Sequence, residues 1–138
     1  VIDPARMPLA RLVNSALDGV ADQHEAVRAE MVRYAGSDAI CYRAGEPEAL
    51  VARQNEVWEP IRRDVEQRLG ARFILAEGIV FAPQPAPALQ AVEDAVATIP
   101  APVALAGAHS VVTLTGSTLM MLALHFGLRD ADAVWEAA

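Results

Sequence analysis

VALAGAHSVVTLTGSTLMMLALHFGL, residues 103–128, contains no Asp, Glu, Arg or Lys. The charge-free run begins earlier, at Ala95, and is 34 residues long. On length alone it could cross a bilayer. Pro100 and Pro102 interrupt it, however, and six hydroxyl or imidazole groups fall between His109 and Thr118. That is a heavy polar load for lipid, and no basic cluster flanks the run to set a topology. The reading that fits is one long buried helix at the centre of a helical domain, apolar on nearly every side. Its small residues allow close approach of neighbouring helices, and its hydroxyls can bond to carbonyls one turn back. No membrane insertion is expected.

The segments before it have helical spacing. Asp3-Pro4 reads as a cap with Pro at the first helical position, followed by Leu9, Leu12, Val13, Ala16, Leu17 and Val20 as an amphipathic stripe. Asp22 and Glu25 have capping-box spacing. They precede a face of Val27, Met31 and Tyr34 that closes at Gly36. A third helix carries Leu50, Val51, Val57, Trp58, Ile61, Val65 and Leu69, with a kink or break expected near residues 56–60 because of Pro60. Arg62, Arg63, Asp64, Glu66, Gln67 and Arg68, with helix-spaced charge pairs among them, read as a solvated face. Pro83, Pro85 and Pro87 lead into a helix through Leu89, Val92, Val96 and Ile99, and Asp130 caps a last helix. The β candidates are 39–43 and 73–81, the second bent at Gly78. The fold class expected is therefore mainly α: a multihelical domain with a long buried apolar helix and at most a small, short-stranded sheet.

Composition agrees. Of 138 residues, 28 are Ala and only 5% are aromatic, which favours helix over strand. All 11 basic residues are Arg, against 18 acidic ones, and the net charge is −7. With no basic run, phosphate-led binding of nucleic acid is not expected. One Cys excludes an internal disulfide and a Cys-based zinc site. The length suits one domain. The start without Met and the stop within an apparent helix suggest a piece of a longer protein.

Little here points to catalysis. No Gly-rich phosphate loop is present, and His24, His109 and His125 lack metal-ligand spacing, so neither cofactor nor metal is expected. Cys41 could serve a thiol-dependent hydrolase, but between Ile40 and Tyr42 it has no neighbouring base and reads as a buried thiol. The segment from Tyr42 to Trp58 is more informative. Arg43, Glu46 and Glu48 flank a Pro, and Gln54 interrupts the apolar stripe between Leu50 and Trp58. A polar group there either bonds to backbone inside the protein or lies at the rim of a binding surface.

Those residues carry a resemblance. Met7-Pro8-Leu9 with Asn14-Ser15-Ala16-Leu17-Asp18 begins it. Tyr34-Ala35-Gly36-Ser37-Asp38 follows, leading to Cys41-Tyr42-Arg43-Ala44 and Glu46-Pro47. Gln54, Trp58, Pro60, Leu75-Ala76-Glu77-Gly78, Pro83-Gln84 and Leu114-Thr115-Gly116-Ser117 come next, in order. Together they resemble the assembly chaperones that bind the α subunit of the F-type ATP synthase catalytic head. The resemblance implies a non-enzyme that holds the unassembled α subunit until it joins the β subunit. It also implies that residues 1–138 form the helical C-terminal domain of a longer chaperone whose β-rich N-terminal domain is absent. The implied location is the bacterial cytoplasm, equivalent to the mitochondrial matrix. Tyr42, Arg43, Glu46, Gln54 and Trp58 are the expected partner-binding residues.

Overall fold

Glycine at position 116 decides how the apolar run folds. In the computed structural model, which describes residues 6–138, Gly116 adopts φ 68, a left-handed conformation that ends a helix and that side chains resist. The run is therefore two helices, α5 (Val103–Thr115) and α6 (Thr118–His125), and not the one long helix expected. Ser117 restarts the chain as an N-cap, its Oγ accepting from the Met120 N–H at 3.0 Å. Burial concentrates in the second piece. Thr118 through Ala123 are all buried, whereas Val103 and Leu114 of α5 are exposed.

The other elements are α1 (Pro8–Ser15), a π turn (Ala16–Val20), α2 (Ala21–Ala35), a 3-10 turn (Ala39–Cys41), β1 (Tyr42–Arg43), α3 (Glu48–Leu69), β2 (Ala76–Glu77), α4 (Ala86–Ala97) and α7 (Ala131–Ala137). The fold builds up around α2, α3 and α6. α6 packs against α2, α3, α5 and α7, and α2 against α4. Met31, Ile40, Val65, Val92, Val96 and Leu122 are among the fully buried side chains of this core. The mainly α architecture expected is the one observed. The sheet is smaller than the β candidates suggested: β1 and β2 pair in parallel over two positions, Tyr42 with Ala76 and Arg43 with Glu77. Gly78, at φ 74, bends the chain away just after β2.

Hydroxyls are satisfied largely as anticipated. Ser110 and Thr115 donate to carbonyls four residues back, at 2.8 Å each. Thr118 instead reaches across to the Met31 carbonyl at 2.7 Å and locks α6 to α2. Asp38 does the same for the 3-10 turn. Its carboxylate is fully buried and accepts from the N–H groups of Ile40 (3.2 Å) and Leu119 (2.9 Å), while the Ala39 N–H donates to Gly116 O (3.1 Å). Burial pushes the Asp38 carboxyl up to about 6, against these hydrogen bonds, which pull it down.

Several local expectations change. Pro60 does not break α3, which runs unbroken from Glu48 to Leu69 and ends at Gly70 with φ 65. Pro60 deprives only the Glu56 carbonyl of a donor, and both residues face water, which can replace it. The Asp3-Pro4 cap lies outside the described residues. Asp22 caps nothing, because the π turn carries the helical path from α1 into α2 and a kink falls at Gln23 (φ −125, ψ 22). The α1 stripe is only partly inward. Ala16 and Val20 are buried, but Leu9, Val13 and Leu17 face outward. Among the described residues, no helix is long and apolar enough to cross a membrane.

Candidate functional site

The 42–58 segment folds back on itself. β1 lies alongside the first half of α3, and the polar groups that interrupt the apolar pattern do the fastening. Gln54 Oε1 accepts from the Ala44 N–H at 2.8 Å. Arg43 is only 8% exposed. Its Nε donates to Ile40 O (2.8 Å), its Nη1 to Asn55 Oδ1 (3.1 Å) and its Nη2 to Glu59 Oε2 (3.3 Å). The guanidinium carbon sits 5.7 Å from the centroid of the Trp58 ring, within cation–π range. Trp58 is half-buried, and its indole N–H donates to Ala137 O at 2.7 Å. The Tyr42 hydroxyl accepts from the Ala82 N–H at 3.4 Å. Of the five residues expected to contact a partner, Arg43, Gln54 and Trp58 are engaged inside the chain. Tyr42 is half-buried, and Glu46 is exposed.

Below this clamp lies an ion network. Glu59 binds Arg62 (2.6 Å) and Arg63 (2.7 Å) as well as Arg43. Glu66 pairs with Arg62 and accepts from the Phe73 N–H at 2.7 Å. Hydrogen bonds from Arg62 and then Arg63 hold the Glu59 carboxyl down at about 2. Glu59 in turn raises Arg62, while burial lowers Arg43. Arg62 and Glu66 are therefore buried, not part of a solvated face. Helix-spaced charges alone suggest solvent exposure. What changes this is the Phe73 amide, which folds back onto Glu66 just past the helix end, and Arg43, which joins the network through Glu59 from 16 residues away.

β2 continues this surface. Ile74 and Leu75 precede it, and Ile79, Val80 and Phe81 follow it, all exposed, with Ile79 at 99%. Gln84 holds the base of the loop with a two-way bond to the Ile74 backbone, at 2.8 and 2.9 Å. At the crossing, the Gly45 backbone lies against the end of the flexible Glu77 side chain, so the turn runs beside β2, and the exposed Glu46 follows next in the chain. The result is an apolar ridge edged by carboxylates, the kind of surface that marks contact with another protein.

Nucleophilic chemistry finds no support at Cys41. The thiol is fully buried, and desolvation, with the Asp38 charge, pushes it up to about 12. The histidines are separately engaged: His109 with Glu30 at 3.0 Å, His24 with Ala21 O at 3.2 Å and His125 with Thr98 at 3.4 Å.

A family model described as ATP12 chaperone protein matches residues 1–66. The Atu1473 protein of Agrobacterium tumefaciens is 42% identical, with a TM-score of 0.94 over 99% of this chain and 51% of its own. Atp12 from Paracoccus denitrificans is 39% identical, with a TM-score of 0.92 over 99% of this chain and 58% of its own. The chain thus spans between half and three-fifths of the relatives it matches. The matched residues include the Tyr42–Trp58 clamp that organises the ridge, and over nearly all of its length the chain is similar to ATP12-type chaperones.

Proposed function

We propose that this chain is the helical, client-holding domain of a longer ATP-independent chaperone for ATP synthase assembly, and that it binds the unassembled α subunit of the catalytic head. The observation that carries this reading is the likeness to Atp12 over nearly every residue, at 39% identity. The ridge of Ile74–Phe81 beside Glu46 supports it, since a holding chaperone needs exposed apolar area near polar groups that substitute for a missing subunit contact. In this reading Glu46 and the outer edge of Tyr42 touch the client. Arg43, Gln54 and Trp58 keep that edge in place. No cofactor is involved; release follows from competition by the true partner subunit. The site of action is the bacterial cytoplasm.

The test is capture by the tagged chain from an equimolar mixture of purified, unassembled α and β subunits. Retention of α in preference to β is expected. Retention of neither, or of both equally, overturns the proposal. Within it, Glu46→Lys should weaken capture without altering the melting temperature. Unchanged capture would remove Glu46 from the contact.

A further inference from the structure

The second tryptophan lies apart from the ridge. Trp135 on α7 is 70% exposed, and Leu114 on α5 is 73% exposed. They line an open groove of about 320 Å³ together with Val111, Leu124 and Val134. Its hydroxyl group, on Thr115, is spent on the Val111 carbonyl. The groove offers no set of convergent polar atoms of the kind that orients a small molecule. It is a place for apolar side chains.

Charge is what selects the occupant. The ionised residue lining the groove is Asp132, one helical turn before Trp135, and Glu136 is a turn beyond Asp132 on the same helix. Asp130, at the head of α7, adds a third exposed carboxylate. The nearest cation in sequence, Arg129, is bound to Asp64 at 2.6 Å. An apolar floor with an acidic wall disfavours a second copy of this chain, because a two-fold contact would set the same carboxylates against one another. It suits a cationic amphipathic helix, whose anchors recur on one face.

We infer that the Leu114–Trp135 groove docks an amphipathic helix of a partner protein, presenting bulky aliphatic side chains flanked by Lys or Arg. This deepens the chaperone reading, on which it rests for the identity of the partner as client. The wall is prearranged: the Trp58 indole holds α7 by Ala137 O, at the end of the helix that carries Trp135. Residues singled out around Trp58 thereby bear on a surface they do not themselves form.

The probe is a synthetic helical peptide of about 18 residues, five turns, with a leucine stripe flanked by lysines. Its counterpart carries glutamates in place of the lysines. Binding is read from a blue shift of Trp135 emission and from isothermal calorimetry. The lysine peptide should bind saturably, at least about tenfold tighter than the glutamate peptide. Leu114→Arg should abolish its binding, and Asp132→Asn with Glu136→Gln should weaken it; circular dichroism confirms that the variants fold. Equal affinity for both peptides, absence of saturable binding, or indifference to Leu114→Arg overturns the inference. So does self-association in sedimentation that Leu114→Arg removes, since a second copy would then be the occupant. Peptide binding without α-subunit capture would leave the groove in place and remove the chaperone reading. Capture that survives Leu114→Arg would do the reverse.

Discussion

The indole N–H of Trp58 donates to the backbone carbonyl of Ala137 at 2.7 Å, joining the middle of α3 to the last residue of α7, 79 positions away. The same ring faces the Arg43 guanidinium, so one side chain fastens α7 and the β1 segment to α3. Trp58→Phe keeps the ring but removes the donor, leaving a carbonyl without its partner. The expected cost is about 1 kcal/mol, seen as a melting temperature lower by roughly 3–5 °C. An unchanged melting temperature would mean that α7 is held by its apolar face alone.

The ion network should make acid destabilising. Glu59 is held at about 2 when folded, below its ordinary value of 4.5. Its contribution is fully present above pH 4.5 and drains away as pH falls toward 2. Glu59→Gln should lower stability at pH 7 by about 2 kcal/mol, because Arg43 and Arg62 lose a charged partner in a largely buried place. It should also flatten the acid limb, as measured by urea unfolding between pH 2 and 5.

Asp38 acts in the opposite sense. Its folded value of about 6 lies above the ordinary 3.8, so between these values the native state holds a proton that the unfolded chain has lost. This group's contribution to stability therefore falls as pH rises from about 4 to about 6, then stays level. The wild-type minus Asp38→Asn difference in unfolding free energy should decline across that window. A flat difference would place the carboxyl in a polar setting, contrary to its burial.

Gly116→Ala should cost about 1 kcal/mol. A Cβ there would meet Ala39 Cβ at an ordinary 3.5 Å, so the penalty lies in φ 68 and not in crowding. Chemical denaturation gives the value, and the helical circular dichroism should be unchanged.

Cys41 should resist alkylation at pH 8 in the native state and react once the chain is unfolded. A thiol that is fully buried and raised to about 12 presents almost no thiolate. Rapid labelling of the folded protein would reopen the hydrolase reading.

The elements legible in the sequence are those whose cause is local. The Asp130 cap, whose Oδ1 accepts from the Ala133 N–H at 2.8 Å, needs only its own helix. The inward face of α4 follows from spacing, as does the stop at Gly70. Gly116 misled because a glycine in an apolar, Ala-rich run also reads as a small packing residue. What sets it apart is the Asp38 carboxylate receiving the Leu119 N–H from 81 positions away, a contact that exists only in three dimensions, beside the local Ser117 cap. Of the candidate site, the polar interruptions of the Tyr42–Trp58 segment are visible in the sequence, but the bonds that Gln54 and Arg43 make inside the chain are not, and the exposed ridge at Ile79–Phe81 has no mark beyond β propensity.

The two-residue parallel pair sets a tether length. From Arg43 to Ala76 the chain must run out along α3, about 32 Å of helix at 1.5 Å per residue, and return. Only Ala44–Pro47 and Gly70–Leu75 can cover the way back, with a combined reach of about 40 Å when fully extended. α3 is thus a bow and those two connections its string, with slack of no more than a few residues. Lengthening either connection should be harmless. Removing three residues would pull Tyr42–Arg43 and Ala76–Glu77 apart and release the ridge from the helix that displays it.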